Sequence, residues 1–287
     1  MTRSHRVVKE LSGHSGCLVS LCKAPDYYFV RKSAPNAVYG PRLMRQAEKQ
    51  IRLAALIPTP KVIASEFSKV PFSYDMEFVQ GLDFKQVCLS RPISWINEFV
   101  HALFMHLEVL NRTKKEGSLQ SAFSSKISGL SDVIFDHSSS QVRDLASIVD
   151  RLAAYDFGSV PLTECHGDMT LENIIFRSDN TIVMIDLLDG ELESVWMDIA
   201  KLVYDLEIAW SLRSSLWAGH HSPEERLLSM ICRYLADEVS LAIENQFPEA
   251  KAHLPALKAI QALRVLPYSH NEQTINKLAT YIAHLDF

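Results

Sequence analysis

The stretch Glu164–Phe176, ECHGDMTLENIIF, sets a histidine, a glycine, an aspartate and an asparagine between two apolar runs. Apolar strands rarely carry so much polarity at their ends unless something is bound or reacted there. The stretch supplies His166-Gly167-Asp168, then four residues, then Asn173. Two short strands follow, NIIF and TIVMID, with RSDN as the turn between them, and the second strand ends at Asp186 in IDLLDG. Phosphoryl transfer from ATP needs a carboxylate to orient the accepting hydroxyl and oxygen ligands to hold Mg2+ against the phosphates. Asp168 has the chemistry for the first task, Asn173 and Asp186 for the second. A short loop and an adjoining hairpin can bring the three together although the sequence separates them.

Upstream, residues 1–80 read mostly as strands: RVVKELS, CLVSLCKA, YYFVRKSA, KVIASEF and FSYDMEFV. PRLMRQAEKQIRLAAL has helical spacing, with Leu43, Ala47, Ile51 and Ala54 expected on one side. From Ile93 the pattern turns helical: ISWINEFVHALFMHLEVL, QVRDLASIVDRLAAY, WMDIAKLVYDLEIAW and PEERLLSMICRYLADEVSLAIEN, with two more helices to the end. GSLQSAFSSKISGLSD is polar and poorly periodic and reads as a loop or a substrate-specific insert. The pattern predicts an α+β protein: an N-terminal antiparallel β-sheet lobe with one helix, over 1–80, and a mainly helical lobe, over 81–287. A cleft between lobes is a usual place for a ligand.

The totals are those of a globular protein of 287 residues, 47% hydrophobic and 22% charged. A net charge of -5 gives no reason to expect nucleic acid or a membrane surface as partner. The charge is unevenly spread: residues 1–80 carry 12 Lys and Arg against 6 Asp and Glu, the remainder 17 against 28. Five scattered cysteines without a CxxC pair argue against a disulfide scaffold or structural zinc. The N-terminus lacks the apolar core of a signal peptide, and no apolar run is long enough to span a bilayer, so a cytoplasmic location is expected.

The motifs CHGDMTLENIIF, VMIDLLDG and WMDIAKL, in that order, resemble the aminoglycoside phosphotransferase and choline kinase family, the small-molecule branch of the protein-kinase-like fold. The resemblance implies a two-lobed kinase-like fold, ATP as co-substrate and Mg2+ as cofactor. It gives roles to other residues. Ser12, Gly13, His14, Ser15 and Gly16 lie between two strands where backbone N–H groups approach phosphates. Lys32, at the end of FVRK, falls on the strand that carries the phosphate-contacting lysine, with Arg31 turned to the other face by strand alternation. Glu48 on the following helix is the expected partner of Lys32, though it reads equally as an exposed helix charge. YDMEFVQG resembles the hinge that holds adenine, with Met76 at the back and Glu77, Phe78 and Val79 offering main-chain contacts. His166 is implied to be a support for the catalytic loop, and Asp198 a brace for that loop and a cap for its helix.

Three departures argue against a polypeptide acceptor. Thr170 stands where Ser/Thr protein kinases carry a lysine, LLDG follows Asp186 instead of FG, and a helix begins near Trp196, leaving no room for a long activation segment. A small hydroxyl acceptor is expected: an aminoglycoside, an amino alcohol or a sugar. The acidic residues Asp189, Glu191, Glu193, Asp205 and Glu207, with Lys201 as sole nearby counter-charge, make a cationic acceptor one option. Trp196, Trp210 and Trp217 could stack on it, though helix charges are mostly solvated and tryptophan mostly core. The rivals are a nucleotide-binding scaffold without activity and a protein kinase.

Overall fold

The computed structural model describes residues 5–11, 16–66, 70, 72–135, 140–219, 222–269 and 271–287. The chain divides into two compact units: residues up to Asp83 together with Asn173–Asp189, and Phe84–Glu172 together with Gly190–Phe287.

The first unit is built on β1 (Arg6–Leu11), β2 (Leu18–Lys23), β3 (Tyr28–Ser33), α1 (Gly40–Leu53), β4 (Val62–Glu66) and β5 (Ser73–Glu77). The strands form an antiparallel five-stranded sheet in the order β1-β2-β3-β5-β4. Alternation along β3 separates its two cations as expected. Arg31 donates to both carboxylate oxygens of Asp75, at 2.6 and 2.8 Å, while the Lys32 side chain is buried. Leu43 and Ala47 of α1 pack with Cys17, Ala34 and Tyr74. The expected stripe does not continue: Ile51 is 56% exposed and Ala54 is also on the surface. Each four-residue step overshoots a full turn by about 40°, so a ladder of such steps winds off the inner face. That face instead runs through Gln46, Lys49, Gln50 and Leu53.

The hairpin of β6 (Ile174–Phe176) and β7 (Ile182–Met184) belongs to this unit. Leu82 and Phe176 exchange backbone hydrogen bonds of 2.9 Å, and the Met184 N–H donates to the Pro58 carbonyl. Gly81 permits the approach: a Cβ there would lie 2.7 Å from the Phe176 carbonyl oxygen.

The second unit comprises α2 (Phe84–Ser90), α3 (Trp95–Asn111), α4 (Gln120–Phe135), α5 (Ser140–Arg143), α6 (Ala146–Ala154), α7 (Val195–Ile208), α8 (Arg213–Leu216), α9 (Pro223–Gln246), α10 (Pro248–Leu263) and α11 (Glu272–Ala283). Most of the polar stretch read as a loop or a substrate-specific insert is helical and belongs to α4. Its serines mask a stripe of Phe123, Ile127, Leu130 and Ile134, all buried, which continues from the buried Leu119 just before the helix. α7 is central, packing on α10, α9 and α3, and its core residues Ile199, Ala200 and Leu202 are fully buried. Its N-cap is Ser194, whose hydroxyl accepts from the Trp196 N–H, so Asp198 lies inside the first turn and does not cap the helix. The five cysteines are all buried thiols. Among the described residues no helix is long and apolar enough to cross a membrane.

Candidate active site

In the second unit, α7 grips the loop that carries Asp168. Asp198, Lys201 and Asp205 follow the spacing i, i+3, i+7, which puts them on one face of the helix. All three are buried. The Asp198 carboxylate accepts from the His166 N–H at 2.5 Å and the Gly167 N–H at 2.8 Å. The Lys201 ammonium lies 3.2 Å from Asp168 Oδ1 and 5.2 Å from the centre of the Tyr204 ring. Asp205 accepts from the Leu171 N–H at 2.6 Å, and from the N–H and hydroxyl of Ser211 at 2.7 and 2.6 Å. The Glu172 N–H donates to the Ser211 hydroxyl, and the Glu172 carboxylate meets Arg213. The loop therefore hangs from α7 at both ends and in the middle.

These contacts set the electrostatics. Burial pushes the Asp168 carboxyl up, but Lys201, His166 and Arg264 outweigh it and hold the group below the usual carboxylate range. Asp205 goes the other way: burial lifts it to about 6 against its hydrogen bonds from Ser211 and Leu171. His166 is fully buried, and its Nδ1 accepts from the Asp168 N–H at 3.3 Å, an arrangement that shapes the loop. Thr170, at the position of the protein-kinase lysine, is buried, and its hydroxyl has no hydrogen-bond partner among the described residues. A lysine reaches the aspartate all the same, from α7.

In the first unit, the Lys32 ammonium donates to Asp186 Oδ1 at 2.5 Å. Asp186 has a φ of 57°, a left-handed conformation that is uncommon outside glycine, though aspartate tolerates it better than most, and that concentrates at functional sites. The Ile185 N–H donates to the Asn173 carbonyl at 2.9 Å, which ties the two ends of the hairpin together. α1 holds the segment after Asp186: Arg45 pairs with Asp189 at 2.8 Å and the Lys49 ammonium donates to the Leu188 carbonyl at 2.8 Å. The expected Lys32–Glu48 pair is not formed. Glu48 is exposed on the outer face of α1, because the inner positions one turn of the helix offers are taken by Gln46, Lys49 and Gln50.

Met76 is half-buried, with its sulfur 3.5 Å from the Gln50 amide nitrogen. The Glu77 N–H is committed to the Lys61 carbonyl, and its carboxylate faces Arg177 at 3.3 Å. Val79 is buried, while Phe78 is partly exposed beside Tyr28. Ser12, Gly13, His14 and Ser15 lie outside the described residues. Gly16 has a φ of 74°, which favours glycine.

The acidic run that suggested a cationic acceptor is largely engaged within the protein. Asp189 meets Arg45, Asp205 is spent on the loop, and Glu207 holds Lys258 at 2.7 Å and the Tyr281 hydroxyl at 2.5 Å. Lys201 serves Asp168 and not this run. Trp196 is core, its ring tilted against that of His253, and the Trp217 indole donates to the Ile208 carbonyl. The sequence did carry the signal for Lys201 and Asp205: charged residues at i, i+3 and i+7 from Asp198 in a mostly apolar helix.

The sequence profile of the phosphotransferase enzyme family matches residues 17–226, and the chain belongs to that family. A search of curated proteins finds no match to the sequence. Among solved structures, aminoglycoside phosphotransferase APH(4)-Ia is similar at a TM-score of 0.65 and 13% identity, over 98% of this chain and 93% of the other. The streptomycin–ATP ternary complex of APH(2")-IIa gives 0.62 and 11%, over 96% and 90%. Choline kinase LicA from Streptococcus pneumoniae gives 0.61 and 15%, over 98% and 92%. The fold is thus the protein-kinase-like α+β fold of small-molecule phosphotransferases.

Proposed function

We propose that the chain transfers the γ-phosphate of ATP to a hydroxyl of a small molecule. The observation that carries this is the α7 stripe, which fixes the HGD loop at three points and keeps Asp168 ionised. An ionised, half-exposed carboxylate of this kind can orient the acceptor hydroxyl and take its proton as the phosphoryl group departs. Lys32 provides a cation for the phosphate oxygens. Asn173 and Asp186 offer an amide oxygen and a carboxylate on one hairpin, and this donor set suits Mg2+, which takes few protein ligands and completes its shell with water and phosphate. Mg2+ held there would neutralise charge on the transferred group. With Glu77 committed to Lys61, holding the adenine falls to the backbone of Phe78 and Val79. Catalysis is then mostly positioning and charge neutralisation.

Acceptor-dependent ADP release from Mg-ATP, across aminoglycosides, choline, ethanolamine and sugars, tests the reading. Asp168→Asn is expected to cut kcat by about 10²–10⁴-fold. Nucleotide binding with no release for any acceptor would favour the scaffold reading.

A further inference from the structure

α9 carries four large apolar side chains on the protein surface, Leu227, Met230, Tyr234 and Leu241, where no other helix of the described residues exposes more than one. Met230 is 69% exposed and Leu241 54%. Their spacing keeps them on one stripe of the helix, roughly opposite the buried Leu228, Cys232, Leu235 and Val239, through which α9 packs on α3 and α7. The charges beside the stripe are ordered. At about 100° per residue, Arg226, Arg233, Asp237 and Glu244 all fall on the same flank of it. The two cations come first along the helix and the two anions last, placed symmetrically about Leu235. Arg226, Arg233 and Asp237 make no ion pair or side-chain hydrogen bond among the described residues, and Glu244 meets Lys251 at the surface. The other acids at the start of α9 are spent within the chain: Glu224 pairs with Lys85, and Glu225 closes the capping box with Ser222.

We propose that this face of α9 binds a second copy of the chain, the two α9 helices lying antiparallel across a two-fold axis level with Leu235. A two-fold contact sets a surface against itself, so the surface must be self-complementary. Antiparallel pairing about Leu235 sets Arg233 against Asp237 of the second copy and Arg226 against its Glu244, each pair formed twice. Parallel pairing would set arginine on arginine and carboxylate on carboxylate, so the charge order selects the direction. The same register brings Met230 next to Leu241 of the second copy, and Tyr234, nearest the axis, next to its own counterpart. α9 is about 36 Å long, and a strip of that length about 12 Å wide covers roughly 400 Å² on each copy, half of the ~800 Å² per partner of a standard interface. The dimer is therefore weak, with a Kd on the order of 10 µM.

Sedimentation velocity on the full chain, from about 1 to 200 µM, brackets that Kd. Met230→Lys puts a charge in the stripe and is expected to weaken the dimer about 30-fold, as the loss of a central interface residue does. Arg233→Glu and Asp237→Arg each set like charges against each other at two places and are expected to weaken it about tenfold. An equimolar mixture of those two variants is the decisive sample. One copy then offers two acids and the other two arginines, so both central pairs re-form between unlike copies, and dimer is expected to return to the wild-type level. Misfolding cannot produce that rescue, and the thermal midpoint of each variant confirms that it is folded. A monomer at every concentration overturns the proposal and leaves the stripe to a partner of another kind. A dimer that none of the three substitutions weakens uses another surface and overturns it too. So does a mixture that dimerises no better than its components, because the antiparallel register requires the rescue.

Discussion

Two helices do the same job with opposite charge. α7 hangs the Asp168 loop from carboxylates: Asp198 and Asp205 collect backbone N–H groups, with Lys201 between them. α1 holds the segment after Asp186 with cations: Lys49 gives to a backbone carbonyl and Arg45 to Asp189. The polarity follows from what each loop presents. The tight turn through His166 and Gly167 points N–H groups at its helix, whereas the end of the hairpin presents a carbonyl and a carboxylate. The two clamps differ in completeness. Each member of the α7 stripe has its hydrogen-bonding or ionic partner, while in α1 the side-chain amide of the fully buried Gln46 meets no partner at either end among the described residues. The α7 stripe is a finished polar network, whereas the inner face of α1 includes a buried polar group that costs stability; α7 has one of its own outside the stripe, the Tyr204 hydroxyl, which meets no partner among the described residues.

Breaking the finished clamp should have the largest effect. Asp198→Ala leaves the His166 and Gly167 N–H groups without their acceptor in a buried place. The expected cost is about 2–4 kcal/mol of stability and about a thousandfold in kcat, read by denaturant unfolding and ADP release. An unchanged kcat would show that the loop keeps its shape without α7. Lys201→Met comes next. It removes the charge that holds Asp168 low, so the acid limb of the kcat–pH profile should move to higher pH while kcat falls by about 10–100-fold. Lys201→Arg should recover part of both. A fall in kcat with the acid limb unmoved would reduce Lys201 to packing.

Asp205 gives a smaller effect with a definite sign. Its folded pKa of about 6 lies above the ordinary 3.8, so the native state binds this proton more tightly than the unfolded chain. The stability it contributes is complete below the unfolded value and is lost as pH rises through about 6. In Asp205→Asn that loss disappears. The fall in thermal midpoint between pH 4 and 6.5 should therefore be shallower in the variant, as scanning calorimetry across that range would report; parallel curves would refute the assignment.

The contrast between the helices also explains what could be read from the sequence. The residues of the Asp168 loop and the hairpin are contiguous and chemically distinctive, so their spacing announced them. The sheet and the main helices were legible because apolar period and turn residues agree along them. The α4 stripe was hidden because serines outnumber the residues that pack. The α1 partners were hidden for a different reason. Gln46, Lys49 and Gln50 look like surface residues, and their burial follows from a carbonyl and a sheet that come from distant parts of the chain. Glu48 was the attractive choice because an acid is the obvious mate for Lys32. The hairpin supplies that acid instead, from Asp186.

That substitution sharpens the smallest prediction. If Asp186 neutralises Lys32 and Arg45 and Lys49 do the work of α1, then Glu48 has no task, and Glu48→Ala should change stability by less than about 0.5 kcal/mol. Gln46 is the more informative position. Replacing its unpartnered amide by Leu removes two buried polar atoms at nearly constant size, which should be neutral or stabilising by about 1 kcal/mol with kcat and the KM for ATP unchanged. A rise of about tenfold in the KM for ATP, with stability unaltered, would instead mean that the amide finds its partner only when nucleotide is bound, and that α1 completes its polar network in the loaded enzyme as α7 does in the free one.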